Sequence, residues 1–176
     1  MKGLNIVKGR KHIAKIEPCS FVDGEGVRCS VYVSGCPFQC KGCYNLDAQR
    51  FTYGPEYTDD TLDYILDCCA PEHVSGLSIL GGEPFSNLDI TLALAQQFRQ
   101  RFGTTKTLWI WTGFLFEYLI RDAQRRPLVA LADVIVDGPF IQSLYQPNLA
   151  YRGSLNQRII HVAPSLEVQR PLSYIA

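Results

Sequence analysis

Three of the seven cysteines fall within one short stretch, Cys36-Pro-Phe-Gln-Cys40-Lys-Gly-Cys43-Tyr44. The spacing is C-x3-C-x2-C. A loop this tight can wrap three thiolates around one iron–sulfur cubane, each taking one iron and leaving the last without a protein ligand. An electron-transfer cluster normally has four protein ligands. An open iron instead implies that something binds there, as the open position of a catalytic zinc does. A structural zinc site is the alternative. Zinc wants four ligands, usually from two paired clusters, and no second CxxC is present. The histidines, His12, His73 and His161, are distant in sequence, although a fold can return one of them. Cys68 and Cys69 are adjacent in a predicted helix, where neighbours point apart and chelate poorly. Cys19 and Cys29 read as ordinary thiols, Cys29 on the apolar face of a strand.

The surrounding pattern alternates strands and helices. Residues 27–34 read as a strand, with Cys29, Val31 and Val33 alternating with Arg28, Ser30 and Tyr32, and the cysteine loop follows at once. Residues 58–69 read as a helix capped by Thr58, with Asp59 and Asp60 favoured in its first turn. Residues 76–80 form a buried strand that stops at Gly81-Gly82. The next helix is capped by Ser86 or Asn87 and runs to about Arg101. Strands are expected at 106–111 and 133–136 and a helix at 114–124, while three prolines obscure the tail after 139. This β-loop-α repetition implies a mainly parallel sheet of α/β class, with ligands at the carboxyl ends of the strands.

The bulk properties narrow the function classes. At 176 residues the chain fits one domain, 1–176, and is long enough to bury a core without disulfides. A formal net charge of zero argues against a nucleic-acid partner. No apolar run is long enough to span a membrane. The N-terminal segment carries Lys2, Lys8, Arg10, Lys11 and Lys15 but lacks the apolar stretch of a signal peptide. A cytoplasmic, reducing location is therefore expected, where clustered cysteines mean metal or redox chemistry rather than disulfides.

The cysteine motif with an aromatic directly after its third member, followed later by Gly81-Gly82-Glu83-Pro84 after a strand, resembles the radical S-adenosylmethionine (SAM) superfamily. Four further segments narrow the likeness: Asp23-Gly-Glu-Gly-Val-Arg28, Trp109-Ile-Trp-Thr-Gly-Phe114, Asp133-Val-Ile-Val-Asp-Gly-Pro-Phe140 and Tyr151-Arg-Gly-Ser-Leu-Asn-Gln-Arg158. Together, over residues 17–161, they resemble the glycyl-radical-enzyme activating family, in particular the activators of anaerobic ribonucleoside-triphosphate reductase. Pyruvate formate-lyase activators share the cluster and GGEP elements but are usually longer. Glu25 stands where many relatives have proline, and the tail beyond His161 matches nothing.

The resemblance implies an incomplete, open (β/α) barrel with the cluster at the carboxyl ends of its strands. It implies a [4Fe–4S] cluster held by Cys36, Cys40 and Cys43, and SAM chelated to the open iron. Reductive cleavage would give methionine and a 5′-deoxyadenosyl radical, which takes hydrogen from one glycine of the partner reductase. Flavodoxin is the reductant the family suggests. SAM contacts fall to Gly42, Cys43, Tyr44 (along the adenine), Gly81, Gly82, Glu83 and Pro84. Asp137 either orients the cofactor or caps its own Asp-Gly-Pro turn. Thr112 and Gly113 are further site candidates, and Arg152, Asn156 and Gln157 face either the partner or the SAM carboxylate. Two readings compete: a radical SAM synthase acting on a small molecule, and a non-catalytic iron–sulfur carrier or zinc module.

Overall fold

The computed structural model describes residues 11–174, so Lys2, Lys8 and Arg10 of the basic N-terminal stretch lie outside the described residues. Six strands form one sheet in sequence order: β1 (Ile13–Ser20), β2 (Val27–Val33), β3 (Val74–Gly81), β4 (Thr107–Trp111), β5 (Val134–Asp137) and β6 (Arg158–His161). The four central strands run parallel, and β1 and β6 join the two edges antiparallel. The class is mixed α/β with a mostly parallel sheet, as the alternation predicts.

The crossovers are α1 (Asp59–Cys69), α2 (Leu88–Phe102) and a pair of short helices, α3 (Phe116–Leu119) and α4 (Arg126–Leu131). Each crossover moves one strand along in the same direction. Right-handed crossovers of this kind stack their helices on one face. Accordingly Ile65, Leu94, Phe98, Phe116 and Leu128 share a single core with Cys29, Val31, Ile79, Ile110 and Ile135 of the strands. The other face holds a smaller cluster of Trp109, Val134, Val136 and Ile159. It also holds the buried polar side chains of Arg28, Ser30 and Ser78.

Thr58 caps α1 in a reciprocal box with Thr61: its hydroxyl accepts from the Thr61 amide at 3.3 Å, and its amide donates to the Thr61 hydroxyl at 3.2 Å. The expected 114–124 helix is interrupted. The Asp122 carboxylate takes the amides of Gln124 and Arg125 at 2.9 and 3.1 Å, and α4 restarts with Pro127 in its first turn. A carboxylate that satisfies local amides competes with continued helix. The tail contributes β6 and α5 (Val162–Val168), after which the Leu172 carbonyl and the Tyr174 amide pair with His161 and Ile159 along the outer edge of β6. No described helix is long and apolar enough to cross a membrane.

Candidate functional site

The carboxyl ends of the parallel strands open into one cleft of about 640 Å³. Its walls come from the cysteine loop, the Gly81–Glu83 turn, the Thr112-Gly113 end of β4 and the segment after β5. Cys36, Cys40, Cys43 and Tyr44 line it together with Gly81, Gly82 and Glu83. Residues 37 to 47 positions apart in sequence are thus brought to one place because β2 and β3 are parallel neighbours, ending level at Val33 and Gly81.

Hydrogen bonds lock that junction. The Gly82 amide donates to the Val33 carbonyl at 2.7 Å, and the Glu83 amide to the Gly35 carbonyl at 2.8 Å. The Asn87 amide group ties the same two segments, reaching the carbonyls of Gly35 and Glu83 at 2.9 and 2.8 Å. Asn87 is the N-cap residue of α2, but its side chain makes no cap bond. A Cβ on Gly82 would lie 2.6–3.0 Å from the carbonyl oxygens of Gly35, Val33 and Ala48, all of them backbone. Only glycine permits this approach. The cysteine loop closes on itself through Gly35 to Ala48 at 2.6 Å and Cys36 to Gln49 at 3.0 Å. Gly42 turns within it at φ 74°, packed under Gln142.

The donor set suits thiolate ligation. The Cys43 sulfur has a backbone N–H aimed at it, that of Asn45 at 3.4 Å. Such donors stabilise sulfur that carries negative charge and tune a cluster's potential. With protein atoms alone, burial pushes the Cys36 thiol up to about 12, reinforced by the Glu83 carboxylate and the other two thiols. Cys40 is raised for the same first reason, burial. A cationic iron core is what would reverse this and draw off the protons. Among the described residues, no group of three or more His, Cys, Asp or Glu side chains converges as a single-ion site, these thiols included.

Glu83 lines the cleft and is held there from several sides. It is 1% exposed, and its carboxylate accepts from the Phe85 amide at 2.9 Å, the Thr112 hydroxyl at 2.8 Å and the Gly113 amide at 2.8 Å. It therefore fastens the end of β4 to the end of β3. Burial lifts its pKa to about 7 against these donors. A raised carboxylate binds its proton more tightly folded than unfolded. The metal-free chain should therefore lose stability as pH rises from about 4.5 to about 7, by at most ~1.4 kcal/mol per unit, and level off above. Urea unfolding of the wild type and Glu83→Gln across pH 5–8 reads this directly. Equal slopes in the two proteins would assign the dependence to another group.

Not every expected residue reaches the cleft. Pro84 is buried in the turn that starts toward α2 and, like Gly42, does not line it. Asp137 is fully buried on the helix side, where its carboxylate accepts from the Phe116 amide at 2.7 Å and from the Arg158 guanidinium. Glu117 completes that bridge at 2.8 Å. Asn156 and Gln157 tie the ends of their own loop, donating to the carbonyls of Pro139 and Gly138 at 2.8 and 3.0 Å. Arg152 and Gln157 do line the cleft, as do Thr112 and Gly113. Phe140, the last residue of the Asp133–Phe140 segment, also lines it, as do Tyr145 and Gln146, which carried no motif in the sequence. Trp111 lines it while Trp109 stacks beneath at 5.7 Å.

A family model described as a 4Fe-4S single cluster domain matches residues 22–160. A Vibrio cholerae protein is 39% identical over 148 residues, covering 82% of this chain and 93% of its own. A Haemophilus influenzae protein is 38% identical over 147 residues with the same two coverages, and one from Enterobacteria phage T4 is 33% identical over 147 residues, covering 82% and 90%. All three are named anaerobic ribonucleoside-triphosphate reductase-activating protein. With its cysteine loop and GGEP turn joined in one cleft, this chain belongs to the family of anaerobic ribonucleoside-triphosphate reductase-activating proteins.

Proposed function

We propose that the chain is a radical SAM activase that installs a glycyl radical on an anaerobic ribonucleoside-triphosphate reductase. The observation that carries this reading is the convergence of Cys36, Cys40 and Cys43 with the Gly81–Glu83 backbone in one open cleft. Cys36, Cys40 and Cys43 hold a [4Fe–4S] cluster. Bound there with SAM, it supplies one-electron reductive cleavage of the sulfonium and a hydrogen-abstracting species.

The chain's own residues bind, orient and shield. Gly81 and Gly82 present main-chain groups to a ligand's polar end, because no side chain stands in the way. Glu83 holds that turn rigid and adds negative charge behind it, favouring a cationic group in the cleft. Tyr44, exposed on the loop beside Cys43, offers an aromatic face for the adenine. Gly42 sets the turn between the second and third ligands and Pro84 fixes the exit from the glycine turn. Asp137 serves by anchoring α3, and through it the wall that carries Thr112 and Gly113.

We further read the sheet as an incomplete, open (β/α) barrel of the radical SAM type within a single domain, 1–176. The C-terminal segment paired along β6 and the antiparallel β1 leave the sheet unclosed, which suits a macromolecular substrate. A cytoplasmic setting is consistent with the free cysteines, and a flavodoxin-like donor is the reductant the family resemblance suggests. The test is anaerobic reconstitution with iron and sulfide, reduction, and addition of SAM and reductase. Methionine, 5′-deoxyadenosine and a glycyl-radical EPR signal on the reductase are expected. SAM cleavage that leaves the reductase without a radical would redirect the reading to another substrate, and a loaded cluster that never cleaves SAM would end it.

A further inference from the structure

Of the described residues that line the cleft, Arg152 is the one Lys or Arg, and the acids among them are Asp23 and Glu83. Neither carboxylate pairs with it. Asp23 accepts the hydroxyls of Ser20 and Tyr32 at 2.7 and 3.0 Å, and Glu83 is taken by Phe85, Thr112 and Gly113. The Arg152 guanidinium makes a single hydrogen bond among the described residues, from Nη1 to the Gln157 carbonyl at 3.0 Å. Its Nε is buried without a partner. The edge formed by Nε and Nη2 is therefore unused, and such an edge can grip a carboxylate with two parallel bonds. Arg28, Arg99 and Arg158 instead spend the same edge on the chain itself. A buried donor left unpaired costs free energy that a ligand can recover.

The backbone on both sides of Arg152 is held firmly. Tyr151 sits at φ 56°, a left-handed conformation that residues with side chains rarely adopt. The Trp111 indole N–H donates to the Tyr151 carbonyl at 2.8 Å, and the Tyr151 ring packs edge-on against Trp109 at 5.2 Å. Beyond Arg152, the Gln157 side-chain oxygen accepts the amides of Gly153 and Ser154 at 2.8 and 3.2 Å. The Gln157 amide group then donates to the Gly138 carbonyl at 3.0 Å, just past the carboxyl end of β5. Backbone strain maintained beside an unsatisfied charged group is a mark of a binding site.

Resting on the activase reading above, we infer that Arg152 binds the methionyl carboxylate of SAM through its free Nε–Nη2 edge. The charges of the cleft select this ligand. The lining offers one cation and two carboxylates. SAM brings one carboxylate, one ammonium and one sulfonium, so the signs match one for one. A phosphate, or a lone carboxylate from a partner, would bring negative charge with nothing for Asp23 and Glu83. Arg152 is thus a selectivity residue, separating SAM from adenosyl sulfonium compounds that lack the carboxylate.

The experiment measures the Kd of the cluster-loaded full chain for SAM and for decarboxylated SAM by anaerobic equilibrium dialysis at pH 8. The cluster is kept oxidised, so that SAM binds without being cleaved. Arg152→Gln should weaken SAM about thirtyfold, the loss of hydrogen bonding between charged groups. It should leave decarboxylated SAM, which is wholly cationic, bound as tightly as before or more tightly. Arg152→Lys keeps the charge without the fork, should fall between wild type and Arg152→Gln for SAM, and carries the test if Arg152→Gln loads poorly. Iron content and circular dichroism check loading and folding. Equal weakening of the two ligands would make Arg152 a structural prop of its loop, and unchanged SAM binding would remove it from the ligand. Either result overturns the assignment and leaves the activase reading standing. A wild-type chain that loads its cluster and does not bind SAM overturns both.

Discussion

Alanine at any one of Cys36, Cys40 or Cys43 is expected to abolish both cluster assembly and SAM cleavage, to less than about a hundredth of wild type. Loss of mere outer-sphere partners around a metal already costs roughly 10–100-fold, and a missing ligand costs more. The three side chains are not interchangeable in surroundings. Cys36 is more enclosed than Cys40, and the Cys43 sulfur takes an N–H from Asn45 in the same loop. The functional demand is nevertheless the same for each, since a cubane with two protein ligands has no fixed orientation toward SAM. The discriminating controls are the remaining cysteines. Cys19 is exposed, and Cys68 lies on α1, remote in the fold from the loop's three sulfurs; Cys19→Ser and Cys68→Ser should load a full complement of iron. Iron content, the visible absorbance of the reconstituted protein and 5′-deoxyadenosine release separate the outcomes. A Cys40→Ala protein that still loads and cleaves would mean that the ligand set has been misassigned.

The site was legible in the sequence where one local constraint dictated one residue type. Thiolate ligation demands cysteine, and the approach of Gly82 to three backbone oxygens demands glycine. Both therefore left motifs. The parallel strands were legible for a related reason: β3 and β5, buried on both faces, are dominated by short apolar stretches, Leu77, Ile79 and Leu80 in one and Val134–Val136 in the other. What was not legible depended on partners far along the chain. β1 carries Lys15, Glu17 and Pro18, and pairs with β2 through irregular register, so it shows no clean alternation. β6 has four residues and is recognisable only against β5 and the returning C-terminal segment. Asp137 ends its strand where a ligand is expected, yet its carboxylate turns to the helix side to meet Arg158, 21 positions later. The third wall of the cleft carried one faint signal, thirteen consecutive residues, 139–151, without a charge.

Arg28 extends that lesson into energetics and gives the largest expected effect on stability. The alternation of residues 27–34 separates a polar face, Arg28, Ser30 and Tyr32, from an apolar one, and a polar face ordinarily meets water. Here Arg28 and Ser30 are wholly buried, beneath the loop that joins β1 to β2. The Arg28 guanidinium donates to the Ser78 hydroxyl at 2.7 Å, the carbonyls of Leu77 and Thr107 at 2.8 Å each, the Thr107 hydroxyl at 2.9 Å and the Glu25 carbonyl at 3.1 Å. It also lies over the Trp109 ring at 5.5 Å. Every hydrogen-bond partner is neutral, and burial lowers its pKa to about 10 against the smaller opposing pull of nearby acidic groups, Asp133 and Glu25 among them. It remains a cation at neutral pH and works as a five-donor plug at the amino ends of β2, β3 and β4. Removing it leaves at least three buried acceptors unpaired at ~1–3 kcal/mol each, less whatever water enters. Arg28→Met, which keeps the length and apolar stem, should therefore lower the unfolding free energy by about 4 kcal/mol, read as a shift in the urea midpoint. Arg28→Lys should recover only part, because one ammonium cannot span partners on two strands and sheds its proton more easily when buried. A loss below about 1 kcal/mol in Arg28→Met would mean that water takes over the carbonyls and that the polar face of β2 is a hydrated channel rather than a plugged one.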